Sequence, residues 1–189
     1  MLCITNSFPG EEGLEGKERR GNPILQSSAI ALGMLVLPAE QHPADEVFSE
    51  VLQSQWKKGR NQTARQLAVM SLGRIGGKAN RDWLAKAYSR GNKATDQPWL
   101  ALSLGVLCAP AAERGEPDAF IGEMLLDELV EAATDDKRSA LAVAVGLTGY
   151  SMAPTKLLNL LQQHEGDART AGYLCIGLGL YQSYGKVVH

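Results

Sequence analysis

The residues of this chain best suited to metal or nucleophilic chemistry are three histidines, His42, His164 and His189, and three cysteines, Cys3, Cys108 and Cys175. A zinc site needs such residues in closely spaced pairs, and no cysteine shares a ligand spacing with any histidine. A catalytic serine or cysteine needs a basic partner, and the sequence offers none. Gly172, Gly177 and Gly179 lie within an apolar helical run instead of between a strand and a helix, so they make no phosphate loop. Lys57, Lys58, Arg60 and Arg65, with Trp56 beside them, form one basic cluster near a helix junction. The rest of the inner surface expected below carries almost no cation, too few for a set of phosphate contacts, and the cluster reads as a solvated helix end. No metal, cofactor or catalytic group is expected, and no nucleic-acid partner.

Composition points the same way. Hydrophobic residues make up 44% of the 189 positions and charged residues 21%, an ordinary globular balance in a chain long enough for a core. The net charge of −2 and the pI of 5.9 give no field that would recruit nucleic acid or anionic lipid. The odd cysteine count, with Cys108 and Cys175 inside apolar helical runs, predicts buried thiols and a reducing compartment. No secretory signal is visible in residues 1–22, which lack an apolar stretch. The charge-free run 97–112 holds two prolines and is too short to span a bilayer. A soluble, cytoplasmic protein is the expectation.

The elements that must position any site announce themselves through a repeated mark of small residue, aliphatic residue and glycine. It occurs as Ala31-Leu32-Gly33, Ser71-Leu72-Gly73, Ser103-Leu104-Gly105, Ala144-Val145-Gly146 and Cys175-Ile176-Gly177, with glycines 40, 32, 41 and 31 apart. Repetition at such a period is the signature of a helical array. Each mark closes a helix that is apolar nearly all round, at about 23–36, 63–75, 98–108, 137–148 and 168–180, so both faces of each should be covered. Four amphipathic helices alternate with these, at about 45–58, 81–90, 118–133 and 154–164. Asn61 and Thr63, Asp96, Asp135 and Asp136, and Asp167 stand where side-chain oxygens cap the inner helices. Glycine inside a helix costs about 0.5–1 kcal/mol against alanine, so five in register imply close approach of neighbouring helices. The long links 37–45 and 109–118 resemble each other, as if a pair of repeats had been duplicated, and both are expected as loops.

Eight residues before their glycines stand Arg65, Arg138 and Arg169. The units Asp136-Lys137-Arg138-Ser139-Ala140-Leu141-Ala142-Val143-Ala144-Val145-Gly146 and Thr63-Ala64-Arg65, running on to Ser71-Leu72-Gly73-Arg74-Ile75-Gly76, resemble the HEAT repeat in its short, phycobilisome-lyase form. The resemblance covers roughly residues 22–185, is strongest in the second and fourth units, and departs in the first and third, where Leu25 and Gln97 replace the arginine. It implies an all-α fold, an α-solenoid of stacked two-helix repeats, with 1–22 irregular, about four and a half repeats over 23–185, and a tail at 186–189. It also implies that the three arginines form a ladder with acids of neighbouring repeats. Two enzyme types of similar build are disfavoured. The di-iron deoxyhypusine hydroxylase type needs several His-Glu pairs and this chain has one, His164-Glu165; DNA glycosylases need a basic concave groove.

The function that follows is a non-catalytic protein-interaction scaffold. Its contact surface is expected at the inner helices and the two long links, with Trp56, Lys57, Arg65, Trp99, Glu113, Arg114 and Tyr181 as candidate partner-binding residues, and Trp83 as a further anchor. The alternative is an enzyme or accessory module binding a small hydrophobic ligand along Leu102, Val106, Leu147, Tyr173 and Tyr181. Solenoids need polar capping repeats, and neither end supplies one, so self-association through open terminal helices or membership of a longer array is expected.

Overall fold

The computed structural model describes residues 18–90 and 94–184. Expectations for Cys3, His189, the tail and residues 1–17 fall outside them. Among the described residues the protein is all-α, with nine α-helices, one 3₁₀ turn at Pro43–Asp45 and no strand. In order these are α1 (Glu18–Leu35), α2 (Glu46–Lys58), α3 (Gln62–Ile75), α4 (Lys78–Ser89), α5 (Gln97–Glu113), α6 (Ala119–Val130), α7 (Asp135–Thr148), α8 (Ala153–Gln163) and α9 (Ala168–Tyr184). They fall into two compact units that meet within α4, one ending at Trp83 and the other beginning at Leu84.

In the first unit α3 carries both neighbours, α1 along one side and α2 along another. The α1–α3 contact is made by the glycine marks. A Cβ on Gly33 would lie 2.9 Å from the Cα of Ser71, and the Ser71 hydroxyl donates to the Ala29 carbonyl at 2.7 Å. In the second unit α7 lies between α5 and α9, while α6 packs on α7 and α8 on α9. A Cβ on Gly105 would lie 2.7 Å from the Cα of Ala144, and one on Gly146 would collide with the backbone of Gly177. The small residues are thus spent on helix contact, and the burial patterns follow. α7 buries Ser139 to Ala142, Ala144 to Gly146 and Thr148, whereas α8 buries only the stripe Ala153, Leu157 and Leu160.

Local chemistry sets the boundaries. Asn61 Oδ1 accepts from the Ala64 N–H at 2.7 Å, and Asp118 Oδ1 accepts from Ile121 at 3.1 Å, capping α3 and α6. Asp167 Oδ1 accepts from the N–H groups of Arg169 and Thr170 at the start of α9. For α7 the cap is Thr134, 3.4 Å from Lys137 N, and not Asp135 or Asp136, whose carboxylates meet arginines instead. Asp96 precedes α5 but makes no side-chain cap there.

Four expectations change. Residues 18–22, read as irregular, form the first turns of α1, so Pro23 lies inside a helix. Link 109–118 is not a loop throughout: α5 continues past Pro110 to Glu113, because the apolar residues Ala109 and Ala112 extend its buried stripe. Link 37–45 is irregular apart from its 3₁₀ turn, so the two links do not share a conformation. α1 and α9, expected to be covered on both faces, are buried on one side only, and Cys175 on α9 is consequently exposed while Cys108 on α5 is buried.

Candidate functional site

The stripe Ser49, Leu52, Gln55 and Trp56 is the buried face of α2, which places the Trp56 ring inside, at 4% exposure. Lys57, one position on, points to solvent with its ammonium 5.6 Å from the centre of the Trp83 ring. Arg65 reaches back from the first turns of α3. Its Nε donates to the Trp56 carbonyl at 2.7 Å, and its guanidinium lies 4.9 Å from the centre of the Trp56 ring. Three of the seven candidate residues therefore converge, with Arg65 as the lid over a buried tryptophan. The others lie elsewhere. Trp99 is half-buried in the first turn of α5, Glu113 and Arg114 are exposed at the opposite end of that helix, on the order of 20 Å away, and Tyr181 is half-buried on α9.

The arginines of the repeat pattern divide between two tasks. Arg138 donates from one terminal nitrogen to the Ala132 carbonyl at 2.5 Å and from the other to Asp135 at 3.0 Å. Like Arg65, it closes off the end of the preceding amphipathic segment. Arg169 instead bridges to Asp136 on α7 at 2.6 Å, one rung of the expected ladder, with both side chains largely exposed. An exposed ion pair of this kind is worth little to stability. Of the apolar residues proposed for a hydrophobic ligand, Leu102, Val106 and Leu147 are half-buried and Tyr173 is exposed.

A second cluster, which sequence reasoning missed, lies in the first unit where the link 37–45 meets α2, the end of α3 and the start of α4. It is a cavity of about 120 Å³ lined by Ala39, Glu40, Glu46, Ser49, Glu50, Gln53, Gly76, Ala79 and Asn80. Glu40 is held there by the backbone. Its Oε1 accepts from Lys78 N at 2.7 Å, and Gly77, at φ +85°, lets the carboxylate lie where a Cβ would stand 2.5 Å from its Oε2. Its own backbone N–H and those of Lys78 and Ala79, at the positive end of α4, hold the Glu40 carboxyl below its usual range. Asp45 is lowered likewise, by the Leu37 N–H and then by His42.

These two groups set a pH dependence. A carboxylate with a depressed folded-state pKa stabilises the protein above its ordinary pKa, and that contribution disappears as pH falls through the folded value. The stability difference between the protein and a Glu40→Gln variant is therefore expected to favour the unsubstituted protein at pH 7. It should narrow steadily below about pH 4.5 and vanish under strong acid, as thermal melts across the range would show.

The signal in the sequence was the pair Glu46 and Glu50, one helical turn apart, facing Pro38-Ala39-Glu40. Only the fold brings Asn80 to them. Among the described residues no group of three or more His, Cys, Asp or Glu side chains is placed to hold a metal ion, and no helix is long and apolar enough to cross a membrane. Comparison with protein-family models, with curated proteins and with solved structures found no match to this chain.

Proposed function

We propose that this protein is a non-catalytic interaction scaffold built of HEAT-like repeats, an α-solenoid module whose contact surface includes the open face of α1. The observation that carries the reading is that face. Ile24, Ile30, Met34 and Leu35 lie on one arc of α1, with Met34 73% and Leu35 79% exposed, opposite the side that packs on α3. An apolar arc of that size is an interaction surface or a solubility liability. The interlocking of glycine marks supports the repeat reading, since in each unit the glycine of one mark meets the small residue that opens another, Gly33 at Ser71 and Gly105 at Ala144. An inner helix with an uncovered apolar side is what a repeat presents to the next one.

The test is molar mass in solution across a concentration series, by light scattering after size exclusion. The expected result is growth above 20.3 kDa with concentration, abolished in a Met34→Glu/Leu35→Glu variant that keeps its melting temperature, because both side chains are exposed. A constant 20.3 kDa for the unsubstituted protein would remove α1 as a self-association surface.

A further inference from the structure

Three contacts between helices of this chain follow one arrangement. Gly33 of α1 meets Ser71 of α3, Gly105 of α5 meets Ala144 of α7, and Gly146 of α7 meets Gly177 of α9. In the first two, a mark's glycine meets the small residue that opens another mark. Opener and glycine stand two positions apart, about 200° round a helix, so they face opposite neighbours. In α9 the opener's place against α7 is taken by Gly177, and Cys175 is exposed. The working mark of α9 is therefore Gly177-Leu178-Gly179, again a small residue, an aliphatic residue and a glycine. Its last residue, Gly179, is exposed on the side away from α7, and a Cβ there would meet nothing within 4 Å.

α1 stands the other way about. Its glycine is engaged with Ser71, while its opener, Ala31, is exposed. Ile24, Met34 and Leu35 extend the same exposed face, seven positions before Ala31 and three and four after it. Neither helix holds a charged residue over these stretches, 21–35 in α1 and 170–184 in α9. The internal pairs also fix a direction. Gln26 lies by Asn61 and Gly33 by Ser71; Asp136 lies by Arg169 and Gly146 by Gly177, so the packed helices run parallel. A parallel helix that set Gly179 against Ala31 would bring Gly172 opposite Ile24, two turns earlier on both. Gly172 is as open as Gly179 and leaves room for the isoleucine branch.

We propose that the open face of α1 receives α9 of a second copy of this chain, with Gly179 against Ala31 and Gly172 against Ile24. This rests on the scaffold reading for α1 as a contact surface, and adds to it the occupant and the direction. Such a contact is head-to-tail. A dimer keeps one free face of each kind, so assembly continues until a ring closes or a filament forms.

The experiment mixes two blocked variants and measures mass by light scattering after size exclusion. Gly179→Glu charges the α9 face and Met34→Glu/Leu35→Glu charges the α1 face. All three positions are exposed, so both proteins should keep their melting temperature, and the two blocked faces repel each other. Each variant alone should stay near 20.3 kDa, and the mixture should give a complex of twice that mass that grows no further. Gln163→Glu, the same charge at an exposed position on α8, should leave growth of the otherwise unsubstituted protein unchanged. Gly179→Ala, one methyl group at the point of close approach, should raise the concentration needed for growth about tenfold.

Growth of Gly179→Glu on its own, as an α1-to-α1 contact would give, overturns the inference and leaves the scaffold reading standing. A mixture that stays monomeric, or equal loss of growth in Gln163→Glu, overturns it as well. Growth untouched by Gly179→Ala overturns the pairing with Ala31. A constant 20.3 kDa for the unsubstituted protein removes the α1 surface and this occupant together.

Discussion

Replacing Gly146 by alanine is expected to destabilise the protein by about 2 kcal/mol or more, although alanine is the better helix former. The reason is the partner atom. A Cβ at position 146 would collide with the carbonyl oxygen of Gly177, and a Cβ at Gly177 with the carbonyl oxygen of Ala142. Backbone cannot rotate away as a flexible side chain does, so α7 and α9 must separate and lose contact along their shared length. The same substitution at Gly172 or Gly179 meets nothing within 4 Å and should instead raise stability by about 0.5–1 kcal/mol each. Urea denaturation of the three variants checks the sign as well as the size. A neutral Gly146→Ala would mean that the two helices do not approach each other as closely as described.

The second large effect is expected at Trp56. Trp56→Ala removes a ring that is 4% exposed and should cost about 3–5 kcal/mol, a loss visible in the first unit by urea denaturation. It also strips the platform from Arg65, whose guanidinium stacks on that ring and whose Nε depends on the Trp56 carbonyl. Lys57→Ala, next in sequence but on the solvent side, should fall within about 0.5 kcal/mol of the unsubstituted protein. The contrast matters for function. A tryptophan that holds a unit together offers a partner little surface, and what the solvent meets at that point is Arg65.

Helices were legible because their signals are local. The glycine marks, the caps at Asn61 and Asp167 and the alternation of two kinds of apolar pattern each depend on neighbours in sequence. Boundaries slipped where tertiary burial outweighed a local breaker, as when Ala109 and Ala112 carried α5 through Pro110. Exposure at α1 and α9 was not legible from periodicity, since an apolar helix reads the same whether or not a neighbour covers it. The cavity was illegible for another reason. Glu40, Ser49, Gly76 and Asn80 come from four segments, and only the α2 residues Glu46, Ser49, Glu50 and Gln53 share a helix face that spacing can reveal.

The contrast between the two sides of α9 has a consequence in time. One side is locked to α7 at Gly177, while the other carries Gly172 and Gly179 in open solvent, where missing side chains leave the backbone less constrained. Amide protons of α9 should therefore exchange with deuterium through brief local openings, well before those of α7, which is buried on most sides. The order of exchange along the second unit would then run from α9 inward to α7, with the slowest protons marking the helix whose release requires the whole unit to unfold.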